Sequence, residues 1–380
     1  DPTLDQAIVD QSATEDTVFS FTFAANTFSD VDAGASLSYS AQLVGGTPLP
    51  AWLSFDDASR TFSGTPLNSD VGTLSIEVIA DDGQGGTPAK DNFDLVIANT
   101  NDDPSLDQAI PNQAVSEDSA FSFTFPANTF SDVDSGASLS YSAQFVGGAP
   151  LPSWLSFDDA TRTFSGTPLN GDVGTLSIEV IADDGQGGTP ASDSFDLLIA
   201  NSNDDPTLDQ AIADQSATED TVFSFTFAAN TFGDVDSGAS LSYSAQLVGG
   251  APLPSWLSFD DGSRTFSGMP LNGDVGTLSI EVIADDGQGG TPATDSFDLV
   301  IANSNDDPTL DLAIANQSAT EDTVFSFTFA ANTFSDVDAG ASLSYSAQLV
   351  GGEPLPAWLS FDDASRTFSG SPLNGDVSTL

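Results

Sequence analysis

The sequence predicts an all-β chain: a tandem array of seven-stranded antiparallel β-sandwiches of about 102 residues each. Three observations predict it. Trp52, Trp154, Trp256 and Trp358 recur at a fixed step of 102 residues. Within one step, aromatic and aliphatic residues alternate with Ser and Thr over short runs, a period of two that marks half-buried strands. Gly, Pro, Asn and Asp clusters break the runs at intervals of roughly 8–12 residues, and no window keeps a helical period over about ten residues.

The step divides the chain into repeats at 1–102, 103–204 and 205–306, with a partial fourth at 307–380. The first and third differ at only about a tenth of their positions, as recent tandem duplication would leave them. A unit of this size can bury its own core and meets only its neighbours in the array. The fourth stops where its last two strands are due, so the chain reads as a piece of a longer array.

In order along one repeat, residues 3–16 are turn-rich with a short apolar patch. Residues 17–23 alternate, placing Phe19, Phe21 and Phe23 on one face. Residues 36–44 alternate again, with Leu37, Tyr39, Ala41 and Leu43 together. Residues 48–55 lead into a hairpin through Asp56, Asp57, Ala58 and Ser59, and Arg60 to Ser63 return. Residues 73–80 form a mostly apolar strand ending at Asp81, Asp82 and Gly83. Residues 92–98 form the last, with Phe93, Leu95 and Ile97 inward. Such a string of short strands points to an antiparallel sandwich of immunoglobulin-like form. Trp52 is expected in the core, and Arg60 is expected to pair with Asp56 or Asp57 across the hairpin.

Composition narrows the function. With 57 acidic and 5 basic residues the net charge is −52, which repels nucleic acid and anionic lipid. The absence of Cys and His excludes disulfides, a thiol nucleophile and an ordinary zinc or iron site. No apolar run approaches the roughly 18 residues of a membrane span.

The acids fall at fixed places: Glu15-Asp16, Asp30 with Asp32, Asn68 with Asp70, Asp81-Asp82, and Asn101-Asp102-Asp103 just before Pro104. Strand ends of a sandwich gather at its two poles. Asp30, Asp32 and Asp82 belong to the pole where a repeat begins; Glu15, Asn68, Asp70 and the linker belong to the pole where it ends. Carboxylates packed this closely repel one another, and a divalent cation reverses that sign. Calcium, which takes roughly 6–8 oxygen ligands, suits such a set. Asp56-Asp57 and Asp91 with Asp94 read instead as a hairpin tip and a solvated strand face. The acid pairs sit in turns with no base, nucleophile or cleft beside them, so the repeats read as non-enzymatic.

These residues carry a family resemblance. Asn101-Asp102-Asp103-Pro104 resembles the calcium-binding linker of cadherins. Thr27-Phe28-Ser29-Asp30-Val31-Asp32, Pro50-Ala51-Trp52-Leu53-Ser54-Phe55, Thr61-Phe62-Ser63-Gly64-Thr65-Pro66 and Ala80-Asp81-Asp82-Gly83 resemble the dystroglycan-type cadherin-like repeats of bacterial surface adhesins. The resemblance implies Ca2+ at the joints, two or three ions each. For the first joint it implies Glu15, Asn68, Asp70, Asn101, Asp102, Asp132, Asp134 and Asp184 as ligands, with Asp183 an equal rival of Asp184. For the second it implies Glu117, Asn170, Asp172, Asn203, Asp204, Asp234, Asp236 and Asp286. For the third it implies Glu219, Asn272, Asp274, Asn305, Asp306, Asp336 and Asp338, a joint expected to be weaker because its counterpart of Asp184 lies past Leu380.

The expected role is a calcium-stiffened extender in an extracellular or cell-surface bacterial adhesin, of the kind that builds biofilms. Two other roles stay open. The loops at Gly45-Gly46-Thr47-Pro48 and Gln84 to Pro88 could bind a carbohydrate or a surface protein. Alternatively, the chain could self-associate as the subunit of an extracellular filament or matrix.

Overall fold

The computed structural model describes residues 1–376, 378 and 379. They form two compact units, Asp1–Ser202 and Asn203–Leu380, described separately below.

In the first repeat the strands are β1 (Thr3–Leu4), β2 (Gln11–Thr14), β3 (Phe19–Thr22), β4 (Phe28–Ser29), β5 (Ser38–Leu43), β6 (Leu53–Asp56), β7 (Thr61–Gly64), β8 (Gly72–Asp81) and β9 (Ala89–Ala98). Seven of them make the sandwich: a four-stranded sheet in the order β2-β9-β8-β5 faces a three-stranded sheet in the order β3-β7-β6. β1 and β4 form a separate two-residue pair, Thr3 opposite Ser29 and Leu4 opposite Phe28. The same order recurs in the second and third repeats.

Two details depart from the expectation. The turn-rich opening holds β1 and β2, and β2 runs parallel to β9, with Gln11 opposite Leu95 and Ala13 opposite Ile97. β2 is short and polar, so its own pattern gives no strand signal; its ladder comes from β9, which is long enough to serve β8 on its other edge. Side chains pin this segment. Asp91 Oδ2 accepts a hydrogen bond from Ile8 N at 2.6 Å, and Asp10 Oδ1 accepts one from Asp94 N at 2.8 Å. Asp91 is therefore a staple of the opening segment, whereas the Asp94 carboxylate stays on the exposed face and accepts from Ser75 Oγ at 2.6 Å.

The core is where alternation placed it. Phe62, Ile76, Val78, Ala80 and Leu95 are fully buried, and Phe93 and Ile97 nearly so. Phe62 sits between Phe55, at 4.6 Å between ring centroids, and Phe93, at 5.5 Å in an edge-on arrangement that suits the ring quadrupoles. Trp52 packs half-buried against this cluster. Gly64 lies under it, where a Cβ would collide with the Trp52 carbonyl oxygen.

The ion pair expected of Arg60 is absent: among the described residues no salt bridge joins it to Asp56 or Asp57. Asp56 is used within its own turn, accepting from Ala58 N at 3.2 Å and from Ser59 Oγ at 2.6 Å. Arg60 itself occupies a left-handed position, φ 60°, at the end of that turn, and its carbonyl accepts from Phe23 N.

In the second unit, the partial fourth repeat keeps the pair Thr309–Leu310 with Phe334–Ser335 and the sheet Phe325–Thr328, Thr367–Gly370, Leu359–Asp362. The counterpart of β5, residues 344–349, carries no strand. In the complete repeats that strand is hydrogen-bonded only to β8, and among the described residues of the fourth repeat no counterpart of β8 is present.

Candidate metal centre

Glu15 follows β2 and is fully buried, an expensive place for a carboxylate with no cation beside it. Its Oε1 accepts a hydrogen bond from Thr100 N in the linker at 2.6 Å, while Oε2 is buried with no hydrogen-bond partner. Asn68 opens a 3-10 turn, Asn68–Asp70, and its Nδ2 donates to Asp102 Oδ2 at 2.7 Å. Asp102 N donates to Asp134 Oδ2 at 2.9 Å, and Asp134 N donates to Asp132 Oδ1 at 2.8 Å. The linker is thus gripped from both repeats by side chains of the acidic set.

The result is a convergent carboxylate group within the first unit. Glu15, Asp102 and Asp134 each offer an oxygen, all within 4.8 Å of one another. Calcium binds oxygens at roughly 2.3–2.6 Å, so two ligands across one ion stand about 5 Å apart. Around the group, Asn68 Oδ1, Asp132 Oδ2, Asp134 Oδ1 and Asp184 Oδ2 are also buried without hydrogen-bond partners. Acceptors of this kind, aimed inward with no donor and no Lys or Arg among them, fit a hard divalent cation.

Asp184 is set apart from Asp183. Its carboxyl is held below the usual range, chiefly by the backbone N–H of Gln186, which donates to Oδ1 at 2.9 Å. Asp183 spends Oδ1 on the Gly185 N–H of its own turn at 2.7 Å and buries no unpartnered oxygen. Asp70 is not part of the convergent group: its Oδ2 accepts from Leu67 N at 2.9 Å and closes the 3-10 turn. Asp172 and Asp274 do the same for Leu169 and Leu271, each at 2.9 Å.

The second unit repeats the arrangement at the third joint. Glu219 is fully buried, and Glu219, Asp306 and Asp338 again offer oxygens within 4.8 Å of one another. Ser304 N donates to Glu219 Oε1 at 2.7 Å, Asn272 Nδ2 to Asp306 Oδ2 at 2.6 Å and Asp306 N to Asp338 Oδ2 at 2.9 Å. Asp336 Oδ1 accepts from Asp338 N at 2.9 Å, and Asn305 Nδ2 donates to the Asp306 carbonyl at 3.0 Å. Among the described residues only Glu219 Oε2 is left as a buried orphan oxygen there.

Residues of the second joint fall in both units and are described within each. In the first, Glu117 is buried, with Oε1 accepting from Ser202 N at 2.8 Å, and Asn170 begins the 3-10 turn Asn170–Asp172. In the second, Asp204 N donates to Asp236 Oδ2 at 2.9 Å, Asn203 Nδ2 donates to Asp286 Oδ2 at 2.8 Å, and Asp234 Oδ2 is a buried orphan.

Fold and site together define a class: tandem immunoglobulin-like sandwiches with acidic joints. A family model described as "Putative Ig domain" matches residues 1–98, 103–200, 205–302 and 307–380, and the chain belongs to that family. Axial budding pattern protein 2 of Saccharomyces cerevisiae is 25% identical over 95% of this chain and 46% of its own length. The serine-rich adhesin for platelets of Staphylococcus aureus is 31% identical over 41% of this chain and 6% of its own length. The chain therefore spans less than half of either relative. Among solved structures, repeats EC22-24 of mouse cadherin-23 superpose with a TM-score of 0.51 at 19% identity, over 79% of this chain and 97% of that one. The resemblance read from the linker and the repeat phrases thus stands at the level of fold and family. Among the described residues no helix is long and apolar enough to cross a membrane.

Proposed function

We propose that the chain is a non-enzymatic extender of a bacterial cell-surface or secreted adhesin, with repeats at 1–102, 103–204, 205–306 and 307–380 joined by calcium-clamped linkers. The observation that carries this is Glu15: a fully buried carboxylate with an unpartnered Oε2, within 4.8 Å of oxygens from the linker Asp102 and from Asp134 of the next repeat. A cation there ties three parts of the chain that otherwise repel. Two or three ions per joint would draw on the ligand sets named above, with Asp184 in preference to Asp183 at the first joint. The relatedness to an adhesin supports the surface role. Near-identity between repeats supports spacing, because reach depends on copy number and not on distinct surfaces.

Small-angle X-ray scattering of the 380-residue chain, in calcium and then in chelator, tests the role. Clamped joints predict a larger and better-defined maximum dimension with calcium. A scattering curve indifferent to calcium would remove the stiffening role and move attention to the loops as binding surfaces.

A further inference from the structure

Asp103 is the second aspartate of the first linker, and it is exposed and outside the convergent carboxylate group. Its Oδ1 accepts a hydrogen bond from Thr189 N at 3.0 Å. Thr189 belongs to the Gly-rich loop between Gly174–Asp183 and Ala191–Ala200, the counterparts of β8 and β9 in the second repeat. Beside it, Asn101 Nδ2 donates to the Gly187 carbonyl at 3.4 Å. Gly188 lies between these two contacts with φ +106°, and a Cβ on it would collide with Asp103 Oδ1. Loop and linker therefore meet backbone against carboxylate, which a side chain at Gly188 would prevent.

The second unit builds the same contact independently. Asp205 Oδ1 accepts from Thr291 N at 3.0 Å, Asn203 Nδ2 donates to the Gly289 carbonyl at 3.4 Å, and a Cβ on Gly290, φ +121°, would collide with Asp205 Oδ1. In the first repeat, Asp1 Oδ1 stands in the same way over Gly86.

We propose that Asp103 and Asp205, the second aspartates of the first two linkers, are latches and not metal ligands: each fastens the Gly-rich loop of the following repeat to its linker, and Asp103 sets Asp184 in place before any cation arrives. The first half of this statement needs no metal. The second half rests on the calcium reading, because Asp184 begins the latched loop and keeps a buried, unpartnered Oδ2. A ligand held in position binds more tightly because less ordering remains to be done on binding.

The test uses the whole chain in chelator, with amide exchange read at Thr189 and Thr291. Asp103→Ala should speed exchange at Thr189 by about tenfold or more, the scale of one lost hydrogen bond to a charged acceptor. Thr291, latched by Asp205, should not change and so reports that the chain is folded. Asp103→Asn keeps an acceptor oxygen at the same place and should restore most of the protection, and Gly188→Ala should speed exchange as Asp103→Ala does. In a calcium titration Asp103→Ala should weaken the first joint several-fold and Asp103→Asn should stay near the parent chain. Unchanged Thr189 exchange in Asp103→Ala overturns the latch, and doubly so if calcium affinity falls, since that marks a metal ligand. A chain that takes up no calcium yet shows the Thr189 response keeps the latch and loses the calcium reading.

Discussion

At the scale of single residues, the chain shows what one cation does among many acids. Lys90 Nζ donates to Glu77 Oε2 at 2.9 Å, and Gln42 Nε2 donates to the same oxygen at 2.7 Å. The Lys90 hydrogen bond, then that of Gln42, hold the Glu77 carboxyl below its ordinary range. A folded-state pKa lowered in this way stabilises the fold above the unfolded carboxylate value, and the gain is lost as pH falls through the lowered folded value. Lys90→Met should move the Glu77 titration upward, toward the ordinary carboxylate range, as followed by side-chain carboxyl NMR. A titration unmoved by the substitution would mean that Lys90 does not set it. Single-residue roles were also the least legible part of the sequence. Asp56, Asp70 and Asp91 are identical in type and similar in setting, yet one serves its hairpin, one closes a 3-10 turn and one staples Ile8. Which backbone N–H each carboxylate meets depends on contacts up to 83 residues away in sequence, and composition does not carry that information. The role of Asp103 is hidden in the sequence for the same reason, because its partner lies 86 residues on.

Among the strands, the fold is legible in the sequence wherever alternation coincides with burial. β3, β5, β8 and β9 fall within a few residues of the alternating runs, because one face of each must pack on the opposite sheet. β1 and β2 escaped because they are stabilised by a partner strand and by Asp91 and Asp10, with little pattern of their own. The hairpin of β6 and β7 depends on Gly64, whose missing side chain lets the Trp52 carbonyl approach. Gly166, Gly268 and Gly370 repeat the contact against Trp154, Trp256 and Trp358. Gly64→Ala should destabilise the first repeat by roughly 3 kcal/mol, at the upper end for forced overpacking, because the obstacle is backbone and cannot swing aside. Chemical denaturation of the chain should show one repeat unfolding early while the rest hold. A loss under about 0.5 kcal/mol, the range of neutral surface changes, would show that the backbone yields.

Over the whole molecule, charge governs behaviour. The chain carries −52 with 5 basic residues, and none of the five stands at a joint: Lys90 is on β9, and Arg60, Arg162, Arg264 and Arg366 all follow the same hairpin turn. Folding therefore gathers like charges at the joints with no protein cation to offset them. The acids and their repeat were plain in the sequence; the convergence of Glu15, Asp102 and Asp134 needed the fold, since 87 and 32 residues separate them in turn (102 − 15 and 134 − 102). A ligand present at a hundred times its dissociation constant stabilises by about 2.7 kcal/mol, enough to raise the melting temperature of a domain this size by on the order of 10 °C. The most direct measurement is calorimetric titration of calcium into the chelated chain, with melting followed at each end point, for the parent and for Glu15→Gln. Calcium-clamped joints predict saturable binding of two or three ions per joint, a melting rise of that order, and loss of the first joint's share in Glu15→Gln. No saturable heat and no change in melting would contradict the account, leaving the buried carboxylates of the joints without the partner that their geometry calls for.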